Sequence, residues 1–467
     1  MKRLLPLLLA ALVLVPASAA HARSTEIGIT DDRILLPGGP KADQAIAEWV
    51  KLGVDNVRIF AHWARIAPKT RPAGWDADNP ASPGYQWFYV DQAINRVTRA
   101  GMTVTLTITG PGPVWSSSKP KRRRGAYKPR PSSYAAFAKA AALRFGDRVD
   151  RYILWNEPNI STWLMPQASC KRGRCTPVSP HLYRGLVRAA YPAVKAADPG
   201  AQVVIGALSP RGQRLRNAKT VMRPLLFLRR FGCRTDGFKR MRSGACKRFK
   251  PATGDGFAIH PYSSTRAPTA AHPNPDDVSL GSLSRLTRTL DRLQRKKAVK
   301  ATTRRFGIFV DEYGYQTRPP DPIAGVTLGR QDRWLQEAAY VAWRNSRVRL
   351  LTQYLWRDEP PSARGSYSGW QSGLRFASRR AKPSLKHFDT PFWVDRGRNR
   401  LWGQVRPGGR HTLTLQTRRD GAGKKWRRLA SVTTDARGYF QLNRQLKDKT
   451  RYRFVADSGL TSAALRR

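Results

Sequence analysis

Acidic residues are scarce in this chain: 31 Asp and Glu stand against 85 Lys and Arg in 467 residues, a formal charge of +54. That imbalance concerns partners and solubility rather than fold, and it favours anionic polymers. Arginine spread along the whole chain as a compositional bias explains it equally well. Histidine is scarce too, with seven, and none form a His-x-x-x-His pair. Metal catalysis therefore has no ligand pattern, and no metal or cofactor is expected. No glycine-rich turn follows the first predicted strand, which argues against a doubly wound nucleotide fold. Zinc-finger, RNA-recognition and basic-zipper signatures are missing, so no nucleic acid is expected as partner.

Long apolar runs are confined to the N-terminus. Lys2 and Arg3 precede the run Leu4 to Val15, and Ala20-His21-Ala22 is a small-x-small site. This reads as a signal peptide over 1–22, and the expected location is secreted, extracellular, with cell-wall association in view of the charge. The run is short for a membrane span, and no transmembrane segment is expected after cleavage. The four cysteines fit an oxidising compartment. Cys170 and Cys175 flank one loop, Cys233 and Cys246 another. Three connectivities are open, and the one expected joins Cys170 to Cys175 and Cys233 to Cys246, each bond stapling one loop. Zinc is the rival reading, but the Cys-x4-Cys spacing has no adjacent histidine pair.

What the chain does have is 40% hydrophobic residues, enough for a large core, and a repeating texture. Short β-branched strands alternate with amphipathic helices: Val54 to Phe60, Met102 to Ile108, the stretch Tyr152 to Asn159, Val203 to Ala207, Gly256 to Tyr262, Phe306 to Gly314 and Leu350 to Trp356 read as strands. With Ile27 to Ile29 this gives about eight strand-then-helix units. The expected fold is α/β, a (β/α)8 TIM barrel over 23–392. After Phe392 the helical period stops, and short strands separated by Gly408-Gly409 and Asp420-Gly421 turns predict a small all-β sandwich domain, Ig-like or fibronectin-like, over 393–467. Residues 396–467 hold 19 basic and 4 acidic residues. The block Arg418-Arg419, Lys424-Lys425 and Arg427-Arg428 suits an anionic surface, or is a solvated face.

Two strands end in chemistry. Tyr152-Ile153-Leu154-Trp155-Asn156-Glu157-Pro158-Asn159 is stopped by a proline that cannot donate to a ladder. Phe306 to Val310 runs into Asp311-Glu312-Tyr313-Gly314. Carboxylates at the C-terminal ends of two distant barrel strands suggest cleavage of a glycosidic bond, where one carboxyl donates a proton and the other attacks. Side chains alternate along a strand, so Asp311 and Glu312 are not expected to share the barrel interior.

Trp155-Asn156-Glu157-Pro158-Asn159 resembles the acid/base motif on the fourth strand of clan A retaining glycoside hydrolases, and Val310-Asp311-Glu312-Tyr313-Gly314 resembles their nucleophile motif on the seventh. The strand count independently puts Glu157 on the fourth and Glu312 on the seventh. The resemblance covers about residues 27–392 and is closest to families 5 and 39; Asn159 and Trp163 lean toward 39. It implies Glu157 as acid/base and Glu312 as nucleophile, with Asn156 on the sugar 2-hydroxyl. It also implies that His260 and Tyr262 form a His-x-Tyr pair with Tyr262 touching the nucleophile, that Arg58 helps keep Glu312 ionised, and that Trp356 stacks on a sugar. Trp115 and His62 are further cleft residues, with Trp115 and Trp163 as stacking surfaces. Core packing is the alternative for Trp356, and a barrel salt bridge for Arg58. Asp311 departs from the pattern, in which that position is commonly small or Thr. The expected function is a secreted retaining glycosidase acting on a polysaccharide or oligosaccharide, with an acidic one fitting the basic loop Lys119 to Lys128. The alternative is a catalytically silent barrel that holds anionic glycan or wall polymer.

Overall fold

The computed structural model describes residues 25–467 apart from 363, 364, 366, 368 and 422. The expected leader lies outside the described residues. Eight parallel strands close into a barrel: β1 (Glu26–Thr30), β2 (Asn56–His62), β3 (Thr103–Thr109), β4 (Arg151–Leu154), β5 (Gln202–Leu208), β6 (Gly256–Ile259), β7 (Gly307–Tyr313) and β8 (Val348–Tyr354). Each strand pairs with its sequence neighbours, and β1 closes on β8 with Ile27 opposite Leu351. Helices α1 (Pro40–Lys51), α2 (Phe88–Arg99), α3 (Pro131–Phe145), α4 (Ser179–Ala197), α5 (Pro224–Phe231), α6 (Leu283–Arg295) and α7 (Leu328–Arg344) lie between them in sequence.

Alternation sorts each strand into two faces. On β2, Val57, Ile59 and Ala61 join the core between sheet and helices. Asn56 and Arg58 turn inward, where Arg58 Nε donates to Thr107 Oγ1 of β3 at 2.9 Å and Asn56 meets Thr103 and Thr105. The barrel interior is layered. At its lower end Arg151 binds Glu26 at 3.1 and 3.2 Å, Gln202 at 2.7 Å and Thr105 at 3.0 Å. Ile153, Val204, Ala258, Phe309 and Leu350 form an apolar plug above it. The strands' C-terminal ends hold the polar group described below.

After β8 the expected eighth helix is reduced to the four residues Pro383–Lys386. Two antiparallel sheets follow. One contains β9 (Phe392–Asp395), β10 (Arg400–Gln404) and β13 (Tyr439–Asn443); the other contains β11 (Thr412–Arg419), β12 (Arg427–Thr433), β14 (Thr450–Ala456) and β15 (Leu465–Arg466). Phe392, Leu401, Leu413, Leu415, Phe440 and Phe454 are among the core residues between them. The sheets are fixed to the barrel by aromatics: Tyr340 and Trp343 of α7 pack on Trp402 and Tyr439 at 5.4–6.3 Å. Tyr340 Oη donates to Asp395 at 2.6 Å.

Both local disulfides are formed, Cys170–Cys175 and Cys233–Cys246. The first staples a short hairpin, Ala168–Lys171 against Arg174–Pro177. His181 lies beside the second, but both sulfurs there are spent on each other. Among the described residues no helix is long and apolar enough to cross a membrane.

Candidate active site

The fourth strand delivers its carboxylate through a strained turn. Trp155 (φ 75°) and Glu157 (φ 38°) both occupy the left-handed region, which side-chain-bearing residues adopt at a cost of about 1–3 kcal/mol each. Two contacts hold the turn. Trp155 is fully buried against Tyr134, with ring centroids 5.1 Å apart. Glu157 N–H donates to Ala207 O of β5 at 2.9 Å. A β-carbon at Gly110 would sit 2.2 Å from the Trp155 ring, so glycine is required there. Asn159 receives Ser209 N–H at 2.9 Å and donates to Ser209 O and Met222 O, pinning the loop after β5.

Arg58, fully buried, is the hub. Its Nη1 donates in a short contact to Glu312 Oε1, and its Nη2 to Asn156 Oδ1 at 2.8 Å. Asp311 Oδ2 lies 3.3 Å from Nη2. Burial works against the guanidinium charge, but Asp311 and Glu312 outweigh it and raise its pKa. Tyr262 Oη donates to Glu312 Oε2 at 3.1 Å. Burial and the Glu312 charge push the Tyr262 phenol far above its usual range.

His260, also fully buried, bridges three carboxylates. Its Nδ1 is 3.0 Å from Glu157 Oε1 and 3.4 Å from Glu312 Oε2, while its Nε2 is 3.2 Å from Asp311 Oδ2. Burial opposes a charge here, but Glu312 and Asp311 push the imidazole up to about 10, so it carries both protons. Asp311 is held below the usual carboxylate range: burial would raise it, and His260 and Arg58 prevail. Because one nitrogen touches both glutamates, their nearest oxygens are no farther apart than the sum of those two distances.

The structure brings Glu157, Glu312, Asn156, Arg58, His260 and Tyr262 into one group, with three departures from expectation. Asp311 and Glu312 do meet the same group. The pairing of β7 with β8 loses register between Val310 and Tyr313, and that irregularity lets two successive side chains reach Arg58 and His260. Trp356 is not at the cleft: β8 ends at Tyr354, and Trp356 is buried edge-on against Trp49 of α1, 6.1 Å away, with Arg375 over its ring. Trp115 likewise packs among Trp63 and Trp75, its Nε1 bonded to Pro68 O. His62 stacks near Phe60 (5.1 Å) and Trp163 (6.2 Å), and Phe60 carries Arg58 over its ring at 4.3 Å. Burial, Arg65 and Arg58 lower His62 to about 4, so it is neutral.

Beside the group opens a cleft of about 910 Å³ whose walls include Glu157, Tyr262, Arg211, Arg223, Arg266 and Trp370. The basic loop Lys119 to Lys128 lies at the same end of the barrel, with Lys128 N–H bonded to Met165 O, but is not part of these walls. Sequence reasoning missed Trp370. Its ring lies 5.0 Å from that of Tyr262 and 5.4 Å from that of Tyr354. Its loop is anchored by Lys382, whose buried Nζ donates to Asp358 (2.8 Å), Thr317 (2.8 Å) and Gln371 O (2.9 Å). Lys382→Ala would leave Asp358 buried and unpaired. It is expected to cost about 3–5 kcal/mol in denaturant unfolding; a loss within 0.5 kcal/mol would show that the anchor is dispensable.

No family model matches the chain, and no curated protein matches it. Solved structures do resemble it. A GH5_18 protein from Streptomyces cattleya, crystallised with GlcNAc, superposes with a TM-score of 0.50 at 15% identity, covering 81% of this chain and 83% of that one. A glucosidase from Croceicoccus marinus gives 0.47 at 10% identity, over 87% and 90%. Bacteroides uniformis β-glucuronidase 2 gives 0.46 at 11%, over 95% of this chain and 46% of that protein. At 15% identity the likeness to the GH5_18 protein is one of fold.

Proposed function

We propose that the protein is a secreted retaining glycoside hydrolase acting on a polysaccharide or oligosaccharide. The observation that carries this is the pair Glu157 and Glu312 sharing His260 Nδ1. Oxygens brought that close are compatible with the about 5–5.5 Å between the carboxyl groups of retaining enzymes. Their surroundings divide the roles. Glu312 receives Arg58 and Tyr262 and lies beside His260, a setting suited to an attacking anion. Glu157 has His260 as its side-chain partner, lies on the cleft wall, and is the more exposed side chain of the two, 18% against 8%.

Glu157 protonates the leaving oxygen while Glu312 attacks the anomeric carbon. Water, deprotonated by Glu157, then releases the sugar. Arg58 and Tyr262 hold Glu312 in line for attack, and Asn156 sits at the acid/base for a sugar hydroxyl.

The test is reducing-end release from neutral and acidic polysaccharides, with the product anomer read by NMR before mutarotation. The like-folded GH5_18 protein was crystallised with GlcNAc, so GlcNAc-containing glycans belong on the panel. Release with retained configuration is expected; inverted product, or none from any glycan, would defeat the reading. Trp370 offers an exposed ring at the cleft. Trp370→Ala is expected to raise KM about tenfold with little change in kcat, the effect of losing about 1–2 kcal/mol of apolar contact. An unchanged KM would remove it from the binding surface.

A further inference from the structure

The sheet formed by β11, β12, β14 and β15 has an inner face of Leu413, Leu415, Tyr452 and Phe454. Alternation sends Gln416 and Arg418 of β11 and Arg451 and Arg453 of β14 to the other face. The ladder aligns them: Gln416 lies opposite Arg453 on one side and Arg428 of β12 on the other, and Arg418 lies opposite Arg451. Trp426, at the entrance to β12, joins this face. Arg453 stands 4.2 Å and Arg418 4.8 Å from its ring centroid.

Like charges are thus gathered around one aromatic. The nearby carboxylate, Asp420, is spent on Arg451 at 2.8 Å and Arg466 at 2.5 Å. Among the described residues no carboxylate pairs Arg418, Arg428 or Arg453. Arg418 Nε is buried without a hydrogen-bond partner, and Arg453 Nε is held by Gln416 at 2.8 Å, which orients its guanidinium. Lys424, Lys425 and Arg427 extend the positive field along the adjoining turn and strand, all exposed.

We propose that this face is a binding site for an anionic polysaccharide, distinct from the cleft, with Arg418, Arg428 and Arg453 receiving carboxylate or sulfate groups and Trp426 holding the two flanking guanidinium groups in place. Arginine forks match such groups in bidentate geometry, and preorganised forks lose less entropy on binding. A single-stranded nucleic acid is the other polyanion of suitable size. Surfaces built for it present several stacking rings to successive bases. Among the described residues this face presents one ring, already flanked by Arg418 and Arg453, so a saccharide polyanion fits better. The site does not depend on catalysis.

The test uses the full chain with heparin (sulfate), polygalacturonate (carboxylate), neutral dextran and single-stranded DNA as probes at about 0.15 M salt, where weak exposed-charge attraction is screened. Arg418→Gln/Arg453→Gln is expected to weaken binding to heparin, polygalacturonate or both at least tenfold. Arg304→Gln/Arg305→Gln, a control of equal charge on the barrel, should change it less than twofold, and dextran should not bind. The exposed Arg428→Gln, expected to weaken binding about threefold, serves if the double variant fails to fold. The proposal is overturned if the control pair matches the double variant, because charge would then act diffusely. It is overturned equally if DNA binds more tightly than both glycans through the same arginines, or if neither anionic glycan binds.

Discussion

Glu312→Ala is expected to lower hydrolysis at least about 10⁴-fold, the scale on which losing a nucleophile that acts with its partners is felt. The substitution also leaves Arg58 and Tyr262 without the carboxylate they now hold. A fall in rate alone would not separate chemistry from damage to that network. Azide separates them. It fits the space vacated by the side chain and can form the carbon–nitrogen bond in place of the carbon–oxygen bond, while Glu157 still protonates the departing oxygen. Recovery of turnover with azide, yielding a glycosyl azide of configuration opposite to the substrate, is the result expected of a nucleophile. Absence of rescue in a protein that melts normally would demote Glu312 to a structural anion.

Asp311→Asn is expected to lower the pH at which the His260 ring loses its proton by about one to three units, the effect of one opposite charge removed from within hydrogen-bond distance. The sign follows from His260. Its folded value, about 10, lies above the ordinary 6.5. Its charge, and the stability that charge contributes, is complete below about pH 6.5 and is lost as pH rises toward 10. Asp311, depressed, contributes stability above its ordinary value and loses it as pH falls below that value. With asparagine at 311, His260 keeps Glu157 and Glu312 but gives up the partner of Nε2 and its proton at a lower pH. The shift is read from the His260 ring resonances followed across pH. A His260 titration that stays put would mean that Asp311 does not govern the imidazole's charge.

The polar group at the strand ends was legible to the extent that it obeys short-range rules. An apolar run stopped by Pro158 marks a strand end, and a second run into Asp311-Glu312 marks another. Counting strands gave their places in the barrel. What failed were features set by distant packing. Alternation placed only one of Asp311 and Glu312 inside, but the lost register of β7 on β8 is a property of the pair of strands, not of either sequence. Trp356 follows an apolar strand and looks like a cleft aromatic, yet the chain turns it toward Trp49 of α1. A tryptophan that does reach the cleft, Trp370, sits in a loop with no period, and Lys382 anchors that loop from a separate segment. The cleft's arginines, Arg211, Arg223 and Arg266, are likewise loop residues that no local pattern singles out.

The aromatic seam between α7 and the C-terminal sheets has a consequence for how the chain comes apart. Trp402 is fully buried, and Tyr340, Trp343 and Tyr439 are nearly so. Tyr439 Oη also reaches back to Thr25 O, at the very start of the barrel. The last sixth of the polypeptide therefore acts as a keystone: it clamps the first strand's entrance and covers the aromatic face of α7. A protein shortened at residue 391 would be left with a bare oily flank, prone to self-association.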